Sequence, residues 1–454
     1  MDGSRMIIAL LIGIVLLILL ILKTKVHAFL GLIIAAVVIG LLGGMDPTAI
    51  PTSIINGFGG TLGSIGIIIG FGVMMGQIFD KTGAAERMAL TFIKLFGKKR
   101  EHWAMAFTGF IVSIPIFCDS GFVVVSPIAK AISKKTRRSI VAIAGPLAAG
   151  LVITHSLIPP TPGPLGVAGT FGVDVGQFIL LGIVISLPMA ICATLYSQWL
   201  GQRLYQIPAD NEEGWERPEK IEIVESDSVL TPSRQLPSAF ESFLPLVAPI
   251  VLILLNNIFA AIGVEGASRT VITFLGTPII AVGIGLLLAI FVLGRDLDRN
   301  TAIAEMEQGI RSAGIIMLVT GGGGALGQIL KDSGTGNYVA EVLARTAIPI
   351  IVLPFIIATI VRFIQGSGTV AMVTAAGICA PILQAAGANM LLGAFAACIG
   401  SLFFSYFNDS YFWVVNNLMG IKDTKDQIRN WSVCSTVAWG VGFVELLILS
   451  IFLH

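Results

Sequence analysis

An apolar stretch bracketed by two basic clusters constrains the fold of this chain more than any other sequence feature. The clusters are Lys98–Arg100 and Lys134–Arg138, and the polar segment Cys118–Gly121 lies midway between them. The roughly thirty residues between the clusters are too many for one crossing of about 20 residues and too few for two. Because basic residues favour the cytoplasmic side, both ends are expected there. We therefore predict a re-entrant helical hairpin at about residues 103–129.

The polar tip of this hairpin predicts a cavity. Irregular backbone at membrane depth is tolerated only where protein or water satisfies its polar groups. The composition agrees with a membrane protein, because 55% of residues are hydrophobic and 12% are charged, against about 25% charged in soluble domains. The net charge of +1 gives no reason to expect a nucleic-acid partner.

The remaining apolar segments predict an all-α polytopic membrane protein. Crossings are predicted at residues 6–22, 26–44, 62–80, 139–158, 177–198, 242–262, 270–294, 314–331, 388–407 and 432–453. A second hairpin is predicted at about 347–384, with an amphipathic interface helix before it at 335–345. The polar segment 201–240 contains four prolines and mixed charge, so it is expected to be a cytoplasmic linker.

Lysine and arginine predict the orientation of the chain. Most of the 28 fall in segments that become cytoplasmic if Lys23 and Lys25 are cytoplasmic. Both termini are then expected outside the cytoplasm. The first span is expected to remain as a membrane helix rather than to be removed as a signal peptide, because the repeat described next requires it.

The two halves of the chain, residues 1–200 and 241–454, resemble each other. The segment Gly76–Gly83 matches Gly327–Gly334, and Asp119–Gly121 then aligns with Gly366–Gly368. Each half has five predicted crossings and one hairpin. Since five is odd, the second half is expected to insert upside down, with its hairpin entering from the outside. Inverted repeats of this kind are typical of secondary transporters that bind substrate near the bilayer midplane.

Four polar breaks at repeat-related positions predict one shared binding site: Cys118–Gly121, Thr154–Gly163, Gln365–Thr369 and Asn408–Ser410. Half-helix N-termini at such breaks carry partial positive charge and free N–H groups, which suit a carboxylate. The alternative is that the glycines and prolines only shape helix packing. The candidate substrate-binding residues are Ser120, Gly121, Thr161, Gln365, Gly366, Ser367, Gly368, Thr369, Asn408 and Ser410.

Two acidic residues in apolar surroundings are candidates for proton coupling. A carboxylate at mid-bilayer costs about 3 kcal/mol, so Asp119 and Asp409 are expected to face a cavity. Either could instead cap a half-helix. His155 could relay protons, or serve as a structural hydrogen-bonding group. Arg362 could bind a substrate carboxylate, pair with Asp409, or point outward.

Neither a metal site nor an enzyme active site is predicted. The five cysteines show no CxxC or Cys/His ligand spacing. No nucleophile and base occur at a readable spacing either. We therefore expect no cofactor other than a coupling ion.

The chain resembles the gluconate permease family of gluconate:proton symporters, within the ion-transporter superfamily. The resemblance is carried by Ile114–Phe122, His155–Pro164, Gly321–Gly327 and Gln365–Thr369, and it spans nearly the whole chain. It implies proton-coupled uptake of a small hydroxylated or amino monocarboxylate, such as gluconate, a related sugar acid or D-serine. It also implies a bacterial inner membrane, and it makes a homodimer plausible. Bulkier residues depart from the family pattern at Tyr406, Phe407 and Tyr411.

Two alternatives stay open at this point. Hydroxyls and carbonyls at unwound helices also suit Na⁺, so sodium coupling is the second candidate. A passive channel would need a continuous polar path, whereas the sequence offers isolated breaks flanked by apolar residues.

Overall fold

The computed structural model describes residues 3–97, 99–209, 214–218, 235–261, 266–344, 349–406 and 408–453. Nearly all regular structure in these ranges is helical, as predicted. The helices of the first half are α1 (Gly3–Lys23), α2 (Ala28–Gly43), α3 (Ile50–Thr82), α4 (Ala84–Phe96), α5 (Glu101–Val112), α6 (Cys118–Thr136), α7 (Ile140–Leu157), α8 (Pro162–Phe171) and α9 (Val175–Arg203).

The second half repeats this order of elements. Its helices are α10 (Ala239–Ala261), α11 (Ala267–Gly276), α12 (Pro278–Leu288), α13 (Arg299–Asp332), α14 (Thr335–Ala344), α15 (Val352–Gln365), α16 (Gly368–Ala385), α17 (Met390–Gly400), α18 (Ser410–Leu418), α19 (Thr424–Gln427) and α20 (Val433–Phe452). π-Helical turns at Ala289–Leu293 and Ile428–Ser432 extend α12 and precede α20, and a 3₁₀ turn covers Gly294–Asp296. Each half thus contains a long helix, a short helix, a helical hairpin and a broken helix, in that order.

The long helices α3 and α13, of 33 and 34 residues, run antiparallel and pack along their length. At one end Lys81 Nζ lies 2.7 Å from Glu305 Oε1. At the other end Ser53 Oγ donates to Asp332 Oδ2 over 2.6 Å. The C-terminal end of each helix therefore meets the N-terminal end of its counterpart. This is the arrangement that inverted repeats require, while the inversion of the complete halves stays a prediction.

The two hairpins begin from opposite ends of this central pair. Hairpin 1 (α5–α6) follows the C-terminal end of α3, and α4 packs against both of its helices. Hairpin 2 (α15–α16) follows the C-terminal end of α13, and α14 packs against α16. At 1.5 Å per residue, α5 and α15 are about 18 and 21 Å long, shorter than a hydrocarbon core of about 30 Å. Neither can cross alone, which fits a re-entrant hairpin.

The predicted crossings are present as helices, though several are short or broken. Among the described residues, seven helices are long and apolar enough to cross a membrane, or eight when the bent α3 is counted as one span; one of the seven is α16 of hairpin 2. Four further apolar helices in the described residues are shorter: Arg5–Leu17, Ala28–Gly43, Val352–Phe363 of hairpin 2, and Met390–Gly400. The last of them is followed by the break that leads into α18.

The described part of the linker is anchored to both halves. Two short antiparallel strands, β1 (Ile207–Pro208) and β2 (Trp215–Glu216), form its first segment. Lys130 Nζ of α6 lies 4.8 Å from the centre of the Trp215 ring, and Arg217 Nη1 lies 2.8 Å from Asp426 Oδ2. Residues 210–213 and 219–234 of the predicted linker lie outside the described residues.

Close backbone contacts join hairpin 2 to the central pair. A Cβ atom on Gly377 of α16 would lie 2.5 Å from the carbonyl oxygen of Gly323 on α13. Gly324 faces Gly57 and Thr61 of α3. The glycine run Gly321–Gly324 thus serves helix packing, which glycine at membrane helix interfaces permits.

Gly377→Ala is expected to destabilise the protein by about 2 kcal/mol, because the added methyl group must displace backbone atoms of α13. Gly70→Ala is the matched control, since Gly70 is also helical and a Cβ there meets nothing within 4 Å. Thermal unfolding of the two purified variants in detergent measures the difference. A Gly377→Ala variant as stable as Gly70→Ala would contradict the close packing of α13 and α16.

Candidate functional site

The two hairpin tips and the break between α17 and α18 border a single cavity of about 320 Å³. The C-terminal end of α7 and the first residues of α20 complete its wall. The cavity therefore combines both halves of the chain, and its size lies within the range of small-molecule sites.

Three helices begin at this cavity. α6 begins at Cys118, α16 at Gly368 and α18 at Ser410. Two of these N-termini are capped by side chains: Ser367 accepts a hydrogen bond from the N–H of Val370, and Asp409 accepts one from the N–H of Tyr411. The first N–H groups of a helix lack intrahelical partners and carry partial positive charge, so converging N-termini favour an anion.

A buried ion pair joins hairpin 2 to the break before α18. Arg362 Nη2 lies 2.5 Å from Asp409 Oδ2, and Arg362 Nη1 donates to the carbonyl oxygen of Gly366. Ser405 Oγ also donates to Asp409, and Trp431 Nε1 in turn donates to Ser405 Oγ over 2.8 Å. Of the three roles considered for Arg362, the structure shows the pairing with Asp409.

Asp119 has weaker partners than Asp409. Ser410 Oγ donates to Asp119 Oδ1 over 3.4 Å, and the thiol of Cys118 lies 3.8 Å from Asp119 Oδ2. Neither partner carries a positive charge. The cavity therefore holds two carboxylates, and its one guanidinium is engaged by Asp409.

His155 also lines the cavity and is buried, with its ring 5.5 Å from the ring of Phe117. In the described part of the chain, His155 Nδ1 has no hydrogen-bond partner. Nδ1 is also shielded from solvent, so its role at the cavity stays a prediction. Among these same residues, no group of three or more His, Cys, Asp or Glu is placed to hold a metal ion.

Most of the predicted site residues lie at this cavity. The lining residues that the sequence singled out are Asp119, His155, Gly366, Ser367, Gly368, Thr369, Asn408, Asp409 and Ser410. The side chain of Gln365 lies outside the described residues. The structure brings these breaks together from both halves, while binding by the individual residues stays a prediction.

Three predicted residues are not part of the cavity wall: Ser120, Gly121 and Thr161. The helical turn of α6 carries Gly121 away from the cavity, where a Cβ would lie 2.8 Å from Leu151 Cδ2. Thr161 Oγ1 donates to the carbonyl oxygens of His155 and Ile158, over 2.9 and 2.8 Å. Its hydroxyl therefore supports the break before α8, which gives this residue a structural role.

Sequence reasoning missed several hydroxyl groups of the wall. Ser156, Ser401, Ser405 and Ser435 all line the cavity. Ser156 belongs to a break that the sequence identified. The other three fall in the predicted crossings 388–407 and 432–453, where a single serine among apolar residues carries no signal of its own. The bulky Tyr411 is accommodated because its hydroxyl points to the carbonyl oxygen of Ala148, at 3.1 Å.

Comparison with known proteins identifies the family. The model of the GntP family permeases matches residues 5–452. An uncharacterized permease of Haemophilus influenzae is 48% identical over 98% of this chain and 92% of its own length. The gluconate permease of Pseudomonas aeruginosa is 33% identical over 98% of this chain and 97% of its own length.

A solved structure shares the fold. The YdaH transporter of Alcanivorax borkumensis superposes with a TM-score of 0.67 at 13% identity, over 93% of this chain and 98% of that one. The family match and these relatives confirm a multi-pass membrane permease rather than an enzyme. The chain belongs to the GntP family of permeases.

Proposed function

We propose that this permease imports a small hydroxylated monocarboxylate, most simply a sugar acid, together with protons. The observation that carries the proposal is the cavity itself. Three helix N-termini and the guanidinium of Arg362 supply N–H donors and positive charge there, which favour a bound anion. The serine hydroxyls of the wall can exchange hydrogen bonds with substrate hydroxyls. The gluconate permease of P. aeruginosa supports this substrate class by similarity.

The charges of the cavity support coupling to a cation. A substrate carboxylate would add a third negative charge to Asp119 and Asp409, against one guanidinium from Arg362. Uncompensated charge is costly where water is scarce. Protonation of one carboxylate lowers this cost, so substrate and proton bind more favourably together than separately.

Uptake into proteoliposomes tests the coupling ion. We expect labelled gluconate to accumulate when an inward pH gradient is imposed in sodium-free buffer, and not when the gradient is collapsed by an ionophore. Accumulation that requires a sodium gradient would instead identify the sodium-coupled alternative. Saturable counterflow exchange is expected for a carrier, whereas uptake without saturation would indicate a channel.

A panel of competitors defines the substrate. Gluconate, other sugar acids, short hydroxy acids and D-serine should be compared as inhibitors of labelled uptake. We expect sugar acids to compete best, because the wall offers several hydroxyls along with the anion-binding helix termini. Strong competition by D-serine alone would show that an amino acid is the preferred substrate.

The same proposal includes a location in the bacterial inner membrane with both termini in the periplasm. The distribution of basic residues supports this orientation. Reporter fusions at the C-terminus that are active only in the periplasm test it.

A further inference from the structure

In the described part of the chain, the hydrogen bonds of Arg362 do not use all the N–H donors of its guanidinium. Among the described residues that line the cavity, it carries the one fixed positive charge, and its side chain is only 6% exposed. A guanidinium has five N–H donors. Nη1 and Nη2 are engaged by the Gly366 carbonyl and by Asp409, but Nε is buried and no acceptor in the described part of the chain satisfies it.

An unsatisfied buried donor is costly, and a carboxylate can remove that cost. Two parallel hydrogen bonds from a guanidinium to one carboxylate are the strongest arrangement that these groups form. Asp409 contacts Arg362 through a single oxygen, while its other oxygen accepts from the N–H of Tyr411 at 3.2 Å. Asp409 thus divides its two oxygens between Arg362 and the cap of α18, and it does not form a two-oxygen pair with Arg362.

We propose that Arg362 is the receptor for the substrate carboxylate, and that Asp409 occupies its place in the empty transporter. The inference rests on the proposed function and adds the order of events to it. An arriving carboxylate binds Arg362 through two oxygens and displaces Asp409. Asp409 then keeps its cap on α18 but loses its counter-ion.

The surroundings of Asp409 explain why its displacement recruits a proton. Asp119 on α6 is linked to the same break through Ser410, so a second carboxylate faces the site. Besides Asp119 and Arg362, the titratable side chains described at the wall are His155 on α7, Cys118 on α6 and Tyr411 on α18. Ser405, which donates to Asp409, and Trp431, which donates to Ser405, are neutral. Once Arg362 is taken by substrate, Asp409 takes a proton from the water on the open side and releases it on the other side with the substrate.

Three variants test this order: Asp409→Asn, Arg362→Gln and the double variant Arg362→Gln/Asp409→Asn. The single arginine variant leaves Asp409 buried without its counter-ion, so a loss of binding by this variant is interpreted only beside the double variant. The double variant replaces both charges by neutral polar groups, leaves no buried charge unpaired and is expected to fold. Binding of labelled gluconate to purified protein gives the affinity, and a pH indicator in weakly buffered solution gives the protons taken up on binding.

Asp409→Asn is expected to bind gluconate at least as tightly as the wild type, because the competitor for Arg362 is weakened, and to take up no proton on binding. The double variant is expected to bind about 100-fold more weakly while unfolding at a similar temperature, since two charge-assisted hydrogen bonds are lost. The matched control removes an exposed pair of the same type, Arg311→Gln/Glu307→Gln, and should bind like the wild type.

The outcomes separate this inference from the proposed function. Wild-type affinity in the double variant would overturn the role of Arg362 as receptor, as would wild-type proton uptake by Asp409→Asn. Absence of binding by the wild type to every sugar acid would overturn the proposed function and this inference together.

Discussion

Asp119→Asn is expected to abolish accumulation of substrate against its gradient while leaving counterflow exchange intact. Asparagine keeps the shape of the side chain and can still accept from Ser410 Oγ, which lies 3.4 Å from Asp119 Oδ1. The lost negative charge removes the repulsion that favours protonation of the cavity when substrate arrives. Substrate would then cross without its proton, and uptake would stop at equilibrium.

Two assays in the same proteoliposomes measure this effect. Accumulation driven by a pH gradient reports coupling, and exchange of labelled for unlabelled substrate reports binding and movement. Asp296→Asn is the control, because the Asp296 side chain is 90% exposed and does not line the cavity. Full accumulation by Asp119→Asn would exclude Asp119 from coupling.

Gly366→Ala is expected to cost about 3 kcal/mol of stability and to abolish substrate binding. Gly366 has a φ of +90°, a conformation that favours glycine, at the turn between α15 and α16. A Cβ there would also overlap the carbonyl oxygen of Asn408. The tip of hairpin 2 would therefore separate from the break before α18, and the cavity would lose its shape.

Gly387→Ala isolates the steric part of this effect. Gly387 has a φ of +65°, but a Cβ there meets nothing within 4 Å. It should show only the cost of the backbone conformation, about 1 kcal/mol, and bind substrate normally. Unfolding temperature and gluconate binding of the two variants provide the comparison, and equal behaviour would argue against the contact between Gly366 and Asn408.

The elements of the fold were largely predictable, because membrane depth restricts the chain to helices of defined length. The bracketed apolar run predicted hairpin 1, and the match of Gly76–Gly83 to Gly327–Gly334 predicted a second copy. Helix ends were less predictable. α13 begins at Arg299, well before the apolar span at 314–331, since a helix can continue where its sequence is polar. The short α4 was missed because Glu86, Arg87 and Lys94 interrupt its apolar residues, so it does not stand out as an apolar span, although its counterpart α14 was predicted.

The site was predictable where a polar residue interrupts an apolar helix. Asp119, Ser367 and Asp409 were found in this way, and all three line the cavity. The direction of a side chain was not predictable, since a helix turns by about 100° per residue and its rotation depends on packing. Gly121 therefore faces Leu151, while Ser435, which gave no signal, lines the cavity. The proposed homodimer stays a prediction.

The antiparallel packing of α3 with α13 has a consequence for how the polypeptide is made. A ribosome delivers α3 to the bilayer long before α13, so the glycine-lined surface at Gly57 has no matching helix until the second half is inserted. The nascent chain must therefore hold an incomplete bundle in lipid and close it late. We therefore expect substitutions on this surface to cause degradation of the protein during biogenesis, before any loss of transport can be measured.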